Sequence, residues 1–189
     1  EIVNYWENKG EVARARGTLL HYHCEQMVNS RHIEAPHSKE FEQAQVLYGH
    51  LLATGLTPYR AEVNLYSASL QVAGQADLLM RDSSNRIVIV DWKRSKEIHF
   101  ENNWGCLKYP LQHLPETNYW LYSLQVNLYG YILETEYDMI VDGYYLAVVH
   151  PEIERGRLIS CPRMEHEMKL VNEYEIECGR AKASLSGIS

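Results

Sequence analysis

Two hydrophobic periodicities divide the chain into helical and extended segments. Apolar side chains recur every three to four positions in residues 10–29 and again in residues 40–55, a spacing that predicts two amphipathic helices. The recurring residues are Val12, Ala15, Leu19 and Tyr22 in the first segment and Phe41, Ala44, Tyr48 and Leu51 in the second. The first helix places His21 and Glu25 one turn apart. The second pattern stops at Gly55, a residue type that often follows helices.

The period then changes to one that is typical of strands. Residues 59–67 and 70–80 combine alternating and continuous apolar side chains, and residues 86–92 contain a run of aliphatic residues from Ile87 to Val90. Between the last two segments lies the sequence RDSSN, a composition typical of turns. We expect three strands of one sheet, the third of them central because both of its faces are apolar.

The second half of the chain begins with another helical pattern, in residues 118–136. Its apolar stripe is predicted to be Leu121, Leu124, Leu128 and Ile132. Gln125 and Tyr129 fall on the flank of that stripe, one turn apart. Residues 143–150 then read as a strand and residues 165–183 as a polar helix. This order of elements predicts an α/β fold in which helices flank a central mixed sheet.

Length and composition predict one domain without a membrane span. A chain of 189 residues suits a single core, so we expect one domain across residues 1–189. Because it begins at Glu1 rather than methionine, we expect it to be part of a longer chain. No apolar run approaches the ~20 residues of a membrane helix, and we expect no membrane partner.

The cysteines point to a reducing environment. They stand far apart without a C-x-x-C pair, at Cys24, Cys106, Cys161 and Cys178. This spacing disfavours a disulfide scaffold or a zinc ribbon. We therefore expect an intracellular, reducing compartment, with nucleus, mitochondrion and cytoplasm left open. His21, His23 and Cys24 stand close together, but side chains two positions apart on a helix diverge, so they do not predict a zinc site by themselves.

The charge distribution limits how the protein can bind nucleic acid. A formal net charge of −7 disfavours a protein that coats nucleic acid by its overall charge. It does not exclude an enzyme that holds a polyanion through metal ions. Basic residues cluster in residues 9–16 and 93–96; these clusters are either solvated surface or contacts to phosphate. Arg94 and Lys96 are the candidates for phosphate contacts.

Acidic residues near strand ends indicate metal chemistry. Asp91 directly follows the predicted central strand's aliphatic run, and Asp77 lies in the strand before it. Carboxylates beside a core need neutralisation, and their oxygens suit Mg²⁺ or Mn²⁺. Lys93 stands two positions after Asp91, so both side chains face the same side of a strand. Glu62 and His21 are further candidate ligands.

Five motifs in chain order resemble those of a known family. They are GTLLH (17–21), Glu62, GQAD (74–77), DWK (91–93) and QVNLY (125–129). With each motif on the expected type of element, the set resembles the RecB-like branch of the PD-(D/E)XK nuclease superfamily over about residues 15–150. Ala76 stands where the family conventionally has proline before the first acid.

The resemblance implies a restriction-endonuclease-like core and a set of site residues. The implied metal ligands are His21, Asp77, Asp91 and the backbone carbonyl of Trp92. The implied catalytic residues are Lys93, Asp91, Asp77 and Glu62, the last reaching the metal directly or through water. Gln125 and Tyr129 would contact DNA phosphate or brace the site; without the resemblance, they read equally well as a hydrogen-bonding pair at the edge of the core.

The implied activity is Mg²⁺- or Mn²⁺-dependent hydrolysis of DNA, as an exonuclease on single-stranded or end-containing DNA. DNA would be the partner, with a helicase or another domain in a longer chain. Some relatives hold an iron–sulfur cluster through a compact cysteine trio that this sequence lacks, so we expect no cluster. Two alternatives stay open: a non-catalytic module that binds nucleic acid or protein, and an RNA-cleaving endonuclease of similar fold. Residues 97–117 are a candidate segment for gating the substrate.

Overall fold

The computed structural model describes residues 2–31 and 38–186, with side chains described for residues 10–31 and 38–177. In chain order the elements are α1 (Ile2–Val28), α2 (Lys39–Ala53), β1 (Thr57–Ser67), β2 (Val72–Arg81), β3 (Ile87–Arg94), α3 (Asn118–Glu136), β4 (Val141–Val149), β5 (Arg157–Ser160) and α4 (Glu165–Ser186). The side chains of Lys9 and Cys178 lie outside the described residues. Among the helices that are described, none combines the length and apolar character that a membrane crossing requires.

The strands form one mixed sheet in the order β1-β2-β3-β4-β5. β1 pairs antiparallel with β2, and β2 pairs antiparallel with β3. The predicted turn in the sequence RDSSN joins β2 to β3. β4 lies parallel to β3, and α3 makes the crossover between them, whereas β5 returns antiparallel beside β4. The predicted fold class is confirmed: helices flank a central mixed sheet, and β3 is its middle strand.

Apolar side chains pack on both faces of the sheet. On one face Val126 of α3 belongs to a cluster with Ile89 of β3. On the other face Leu20 of α1 and Leu47 of α2 belong to a cluster with Val90. Because neighbouring strand residues point to opposite faces, the aliphatic run of β3 contributes to both clusters. Its end is therefore held rigidly between two helical layers.

The predicted first helix is confirmed within α1, but its recurring apolar positions are not its buried face. Val12, Leu19 and Tyr22 are exposed, whereas Leu20 and Cys24 are buried in the cluster shared with α2. Both sets of positions have helical spacing, so the period alone predicts a helix without choosing the face that packs.

α3 begins and ends at the predicted residues, but its predicted stripe is partly wrong. Leu121 is exposed, while Val126 and Leu133 are buried. Apolar residues surround most of this helix, so the sequence did not single out one face. The strand β5 was not predicted, because it is short and its side chains are mostly exposed.

Candidate metal and catalytic site

The ladder between β2 and β3 ends where the two acids begin. Its last recorded pair is Leu78 with Val90, one position short of Asp77 and Asp91. Beyond that point a side chain replaces the backbone partner: Oδ2 of Asp77 accepts a hydrogen bond of 2.7 Å from the backbone N–H of Trp92. Asp77 and Asp91 are both buried. The two strands thus stop pairing at two buried carboxylates, and we call the place where they part the cleft.

His21 approaches this cleft from α1. Its Nδ1 lies 3.3 Å from Oδ1 of Asp77 and 3.8 Å from Oε1 of Glu62. The burial of Leu20 and Cys24, on either side of His21 in the sequence, fixes the height of the helix above the sheet. One potential ligand atom from each of His21, Glu62 and Asp77 lies within 4.8 Å of the other two. Among the described residues these three therefore form a group that can hold a metal ion.

Glu62 occupies an unusual backbone conformation beside Asp77. Val63 pairs with Ala76, so the preceding position of β1 lies next to Asp77 on β2. The φ angle of Glu62 is 50°, in the left-handed region, which costs a non-glycine residue roughly 1–2 kcal/mol. The flanking strand pairs hold the residue there, and its carboxylate reaches the side on which His21 lies.

The carboxylates hold a proton on His21. Burial by itself lowers the pKa of the imidazole, but hydrogen bonds to Asp77 and Glu62 and the charges of both outweigh it and raise the pKa to about 10. The imidazolium therefore supplies positive charge to Asp77 and Glu62, and a metal bound by His21 would have to displace its proton.

Asp91 and Lys93 face the same side of β3, as their spacing predicted. Nζ of Lys93 lies 2.7 Å from Oδ2 of Asp91. The contact is an ion pair by distance, but its angles are not those of a hydrogen bond, and the buried Oδ2 has no other donor among the described residues. Burial and the neighbouring charge of Asp77 raise the pKa of Asp91, against the opposing effect of Lys93. The charge of Lys93 therefore offsets the effects of burial and of Asp77 on this carboxylate only in part.

Lys93 is held by a chain of contacts from α3. Its Nζ donates to Oε1 of Gln125 at 2.9 Å, and Nε2 of Gln125 donates to the hydroxyl of Tyr129 at 2.7 Å. Burial lowers the pKa of Lys93, but the charge of Asp91 and the contact with it raise the pKa above its usual value. The lysine is thus a fixed cation. Gln125 and Tyr129 are in contact one turn apart on α3, as their spacing predicted. Their contact with DNA stays a prediction.

Lys93 and Tyr129 each make one further contact whose partner the sequence did not identify. The ring of Tyr122 lies with its centroid 4.5 Å from Nζ of Lys93, in a cation–π contact. A Cβ atom on Gly74 would lie 2.6 Å from Cε1 of Tyr129, so the glycine makes room for that ring. Tyr122 stands three positions before Gln125, and this helical spacing was the available indication.

Arg94 and Lys96 are engaged with acids. Arg94 points to the face opposite Lys93, where its Nε lies 3.1 Å from Oε1 of Glu40 and its side chain is 11% exposed. Lys96 is 57% exposed, and its Nζ lies 2.8 Å from Oε2 of Glu152. Their predicted contact with phosphate stays a prediction, and in Arg94 it would require the ion pair with Glu40 to open.

The neighbouring His23 and Cys24 do not join the metal-binding group. Both are buried, and His23 packs against the ring of Phe41. Cys24, Cys106 and Cys161 are free thiols. The carbonyl of Trp92 as a metal ligand stays a prediction.

Comparisons with known proteins find similar solved structures. No protein-family model matches the chain, and no curated protein matches its sequence. The crystal structure of a candidate exonuclease from Eubacterium rectale superposes with a TM-score of 0.49 and 12% sequence identity, covering 88% of this chain and 67% of that one. The chemistry of the present chain is therefore inferred from its own residues.

Proposed function

We propose that this chain is a metal-dependent deoxyribonuclease of the RecB-like PD-(D/E)XK kind, which hydrolyses phosphodiester bonds. The observation that supports it best is the cleft at the end of the β2–β3 ladder. There Asp77 and Asp91 are buried with Lys93 on the same side as Asp91. Buried like charges are costly in a purely structural role, and functional sites are where such clusters concentrate.

The residues of the cleft fit a divalent cation. Glu62, Asp77 and Asp91 provide carboxylates against the cations of Lys93 and protonated His21. Oδ2 of Asp91 lies 2.7 Å from Nζ of Lys93 but without hydrogen-bond geometry, so a lone pair of this oxygen would be available to a metal. The candidate ligands are His21, Glu62, Asp77, Asp91 and the carbonyl of Trp92. Oxygen ligands with one imidazole suit Mg²⁺ or Mn²⁺.

The chain's own residues would divide the work of hydrolysis. A bound Mg²⁺ or Mn²⁺ would supply an activated water and positive charge against the reacting phosphate. Lys93 would donate from Nζ to the phosphate oxygen on which negative charge develops, a contact that is strong in a cleft from which water is partly excluded. The Trp92 N–H keeps Asp77 in one orientation.

Gln125 and Tyr129 would position Lys93 rather than react. The ammonium of Lys93 has Asp91 on one side and Oε1 of Gln125 on another, so its approach to the phosphate is set by α3. Tyr129 in turn fixes the amide of Gln125 through its hydroxyl. This support matters because small displacements of catalytic groups reduce rates strongly.

Cleavage of end-labelled DNA tests the proposal. Single-stranded, duplex and circular DNA, and RNA, are incubated with Mn²⁺, Mg²⁺ or EDTA and the wild-type protein, Asp91→Asn or Asp142→Asn. Asp142 is a matched control because it is half exposed and pairs with Arg86 away from the cleft. We expect metal-dependent cutting of DNA by the wild type and the control, loss of cutting in Asp91→Asn, and sparing of circles by an exonuclease.

Two results would contradict the proposal. Cutting that persists in Asp91→Asn would remove the cleft from the chemistry. Absence of cutting on every substrate, with metal binding intact, would favour a non-catalytic module. Cutting of RNA but not DNA, lost in Asp91→Asn, would support the site and contradict only the choice of DNA as the substrate.

A further inference from the structure

A sheet surface continues from the candidate metal site along β1 and β2. Asn64 and Tyr66 alternate with the buried Leu65, which packs towards α3, so they point to the other side of the sheet, where Glu62 meets His21 of α1. Asn64 pairs with Gln75 and Tyr66 with Ala73 on β2. Asn64, Tyr66, Ala73 and Gln75, which we call the hairpin surface, thus form two successive cross-strand pairs next to Glu62. At roughly 3.3 Å per residue, Tyr66 lies about 13 Å along the strand from Glu62.

The hairpin surface is open and bears no formal charge. Its four side chains are exposed, whereas Leu65 between them is buried. A shallow, open depression lies here, and Leu65 and Gly74 complete its lining. With amide and aromatic side chains and no basic residue, this surface suits the bases of a nucleic acid better than its phosphates.

Tyr66 is the prominent side chain of this surface. It is 62% exposed, and within the described residues it makes no ring contact, ion pair or side-chain hydrogen bond. Its neighbour across the sheet is the small Ala73, and its neighbour along the strand is the polar Asn64, so neither covers the ring. An exposed ring on a strand pair can stack against a base. Removing the ring should therefore leave the fold of the hairpin intact.

We propose that the hairpin surface binds unpaired nucleotides of the substrate strand, with one base stacked on Tyr66. The inference rests on the proposed nuclease function of the site at Glu62 and Asp77, and it adds the surface on which the unpaired strand is held. Asn64 and Gln75 lie between Tyr66 and the metal site, and Nε2 of Gln75 donates to the backbone carbonyl of Glu62 at 3.5 Å. A duplex keeps its bases paired and stacked internally, so it has to fray before it can use this surface. The enzyme accordingly prefers single strands or frayed ends.

Binding and kinetics of two Tyr66 variants test the inference. Tyr66→Ala removes the ring, and Tyr66→Phe keeps it. Ile140→Ala is the control, because Ile140 is 67% exposed and lies next to the start of β4, at the opposite end of β3 from the cleft. Fluorescein-labelled oligodeoxythymidine, oligouridine and a blunt duplex of two separate strands serve as probes, first with EDTA for binding and then with Mn²⁺ for KM and kcat.

We expect Tyr66→Ala to weaken binding of single strands, and to raise their KM, by roughly 5- to 100-fold, while Tyr66→Phe and the control stay within about twofold of wild type. The kcat of Tyr66→Ala should be unchanged, and the blunt duplex should be affected little. If Tyr66→Ala loses affinity for oligouridine as much as for oligodeoxythymidine, the surface recognises unpaired bases in DNA and RNA alike. The probe that the wild type binds more tightly then shows whether deoxyribose or ribose is preferred.

Unchanged single-strand binding in Tyr66→Ala would overturn the inference, as would an equal loss on the blunt duplex. The two proposals fail separately. A wild-type protein that cleaves DNA while Tyr66→Ala behaves like it contradicts only the hairpin surface. A wild-type protein that binds single strands through Tyr66 but never cleaves them contradicts only the nuclease.

Discussion

Replacing Gly74 with alanine is the sharpest test of how α3 supports the site. The added Cβ would lie 2.6 Å from Cε1 of Tyr129, a buried ring whose hydroxyl is tied to Gln125. Such overpacking costs about 1–3 kcal/mol. The lost flexibility of the unfolded chain offsets about 0.4–1 kcal/mol, since Gly74 does not have a positive φ. We expect a net destabilisation of about 1.3 kcal/mol, within a range of about 0–2.6 kcal/mol, measured by urea unfolding.

The cause is isolated by a double-mutant cycle with Tyr129→Ala. Without the ring, Gly74→Ala should no longer destabilise, and the coupling energy should be about 1–3 kcal/mol. Gly49→Ala is the control: it lies in α2, nothing stands within 4 Å of its added Cβ, and it should stabilise by about 0.5–1 kcal/mol. A cost of Gly74→Ala that is the same with and without the Tyr129 ring would refute the reasoning.

Two further predictions concern the cleft. Lys93→Ala should lower kcat by about 10²–10³-fold, while Mn²⁺ binding, measured by isothermal titration calorimetry, is retained. The control is Lys169→Ala, which replaces an exposed lysine of α4 and should change neither quantity. Loss of Mn²⁺ binding in Lys93→Ala would count against the assigned role of Lys93. Because the pKa of His21 is raised to about 10, its proton opposes metal binding at neutral pH, and Mn²⁺ affinity should rise by about tenfold per pH unit between pH 6 and 8. His21→Asn should flatten that dependence, and a wild-type affinity that does not change with pH would argue against His21 as a ligand.

Local patterns predicted most of the fold because its elements follow their own periods. The run from Ile87 to Val90 predicted a central strand, and β3 is the middle strand. The bounds of α3 matched because Thr117 caps the helix through its side chain. The face of α1 was missed because which of its sides is buried depends on where α2 and the sheet lie, and the helical period contains no such information.

The candidate site was predictable where spacing along one element decides it. Asp91 and Lys93 face one side because a strand alternates, and Gln125 reaches Tyr129 because a helix turns. The contact between Gly74 and Tyr129 joins residues from a strand and a helix that are far apart in the chain. Such a contact follows from the packing of α3 on the sheet, which the sequence pattern does not define.

The most direct test of the account is where a divalent ion binds. Crystals grown with Mn²⁺ are measured at a wavelength that gives manganese anomalous scattering, and the difference map is calculated for the wild type and for Asp77→Asn. We predict one strong peak beside Asp77, within reach of His21, Glu62 and Asp91, in the wild type, and a weakened or absent peak in the variant. A wild-type map without density at that place, at Mn²⁺ concentrations that support cleavage, would contradict the account.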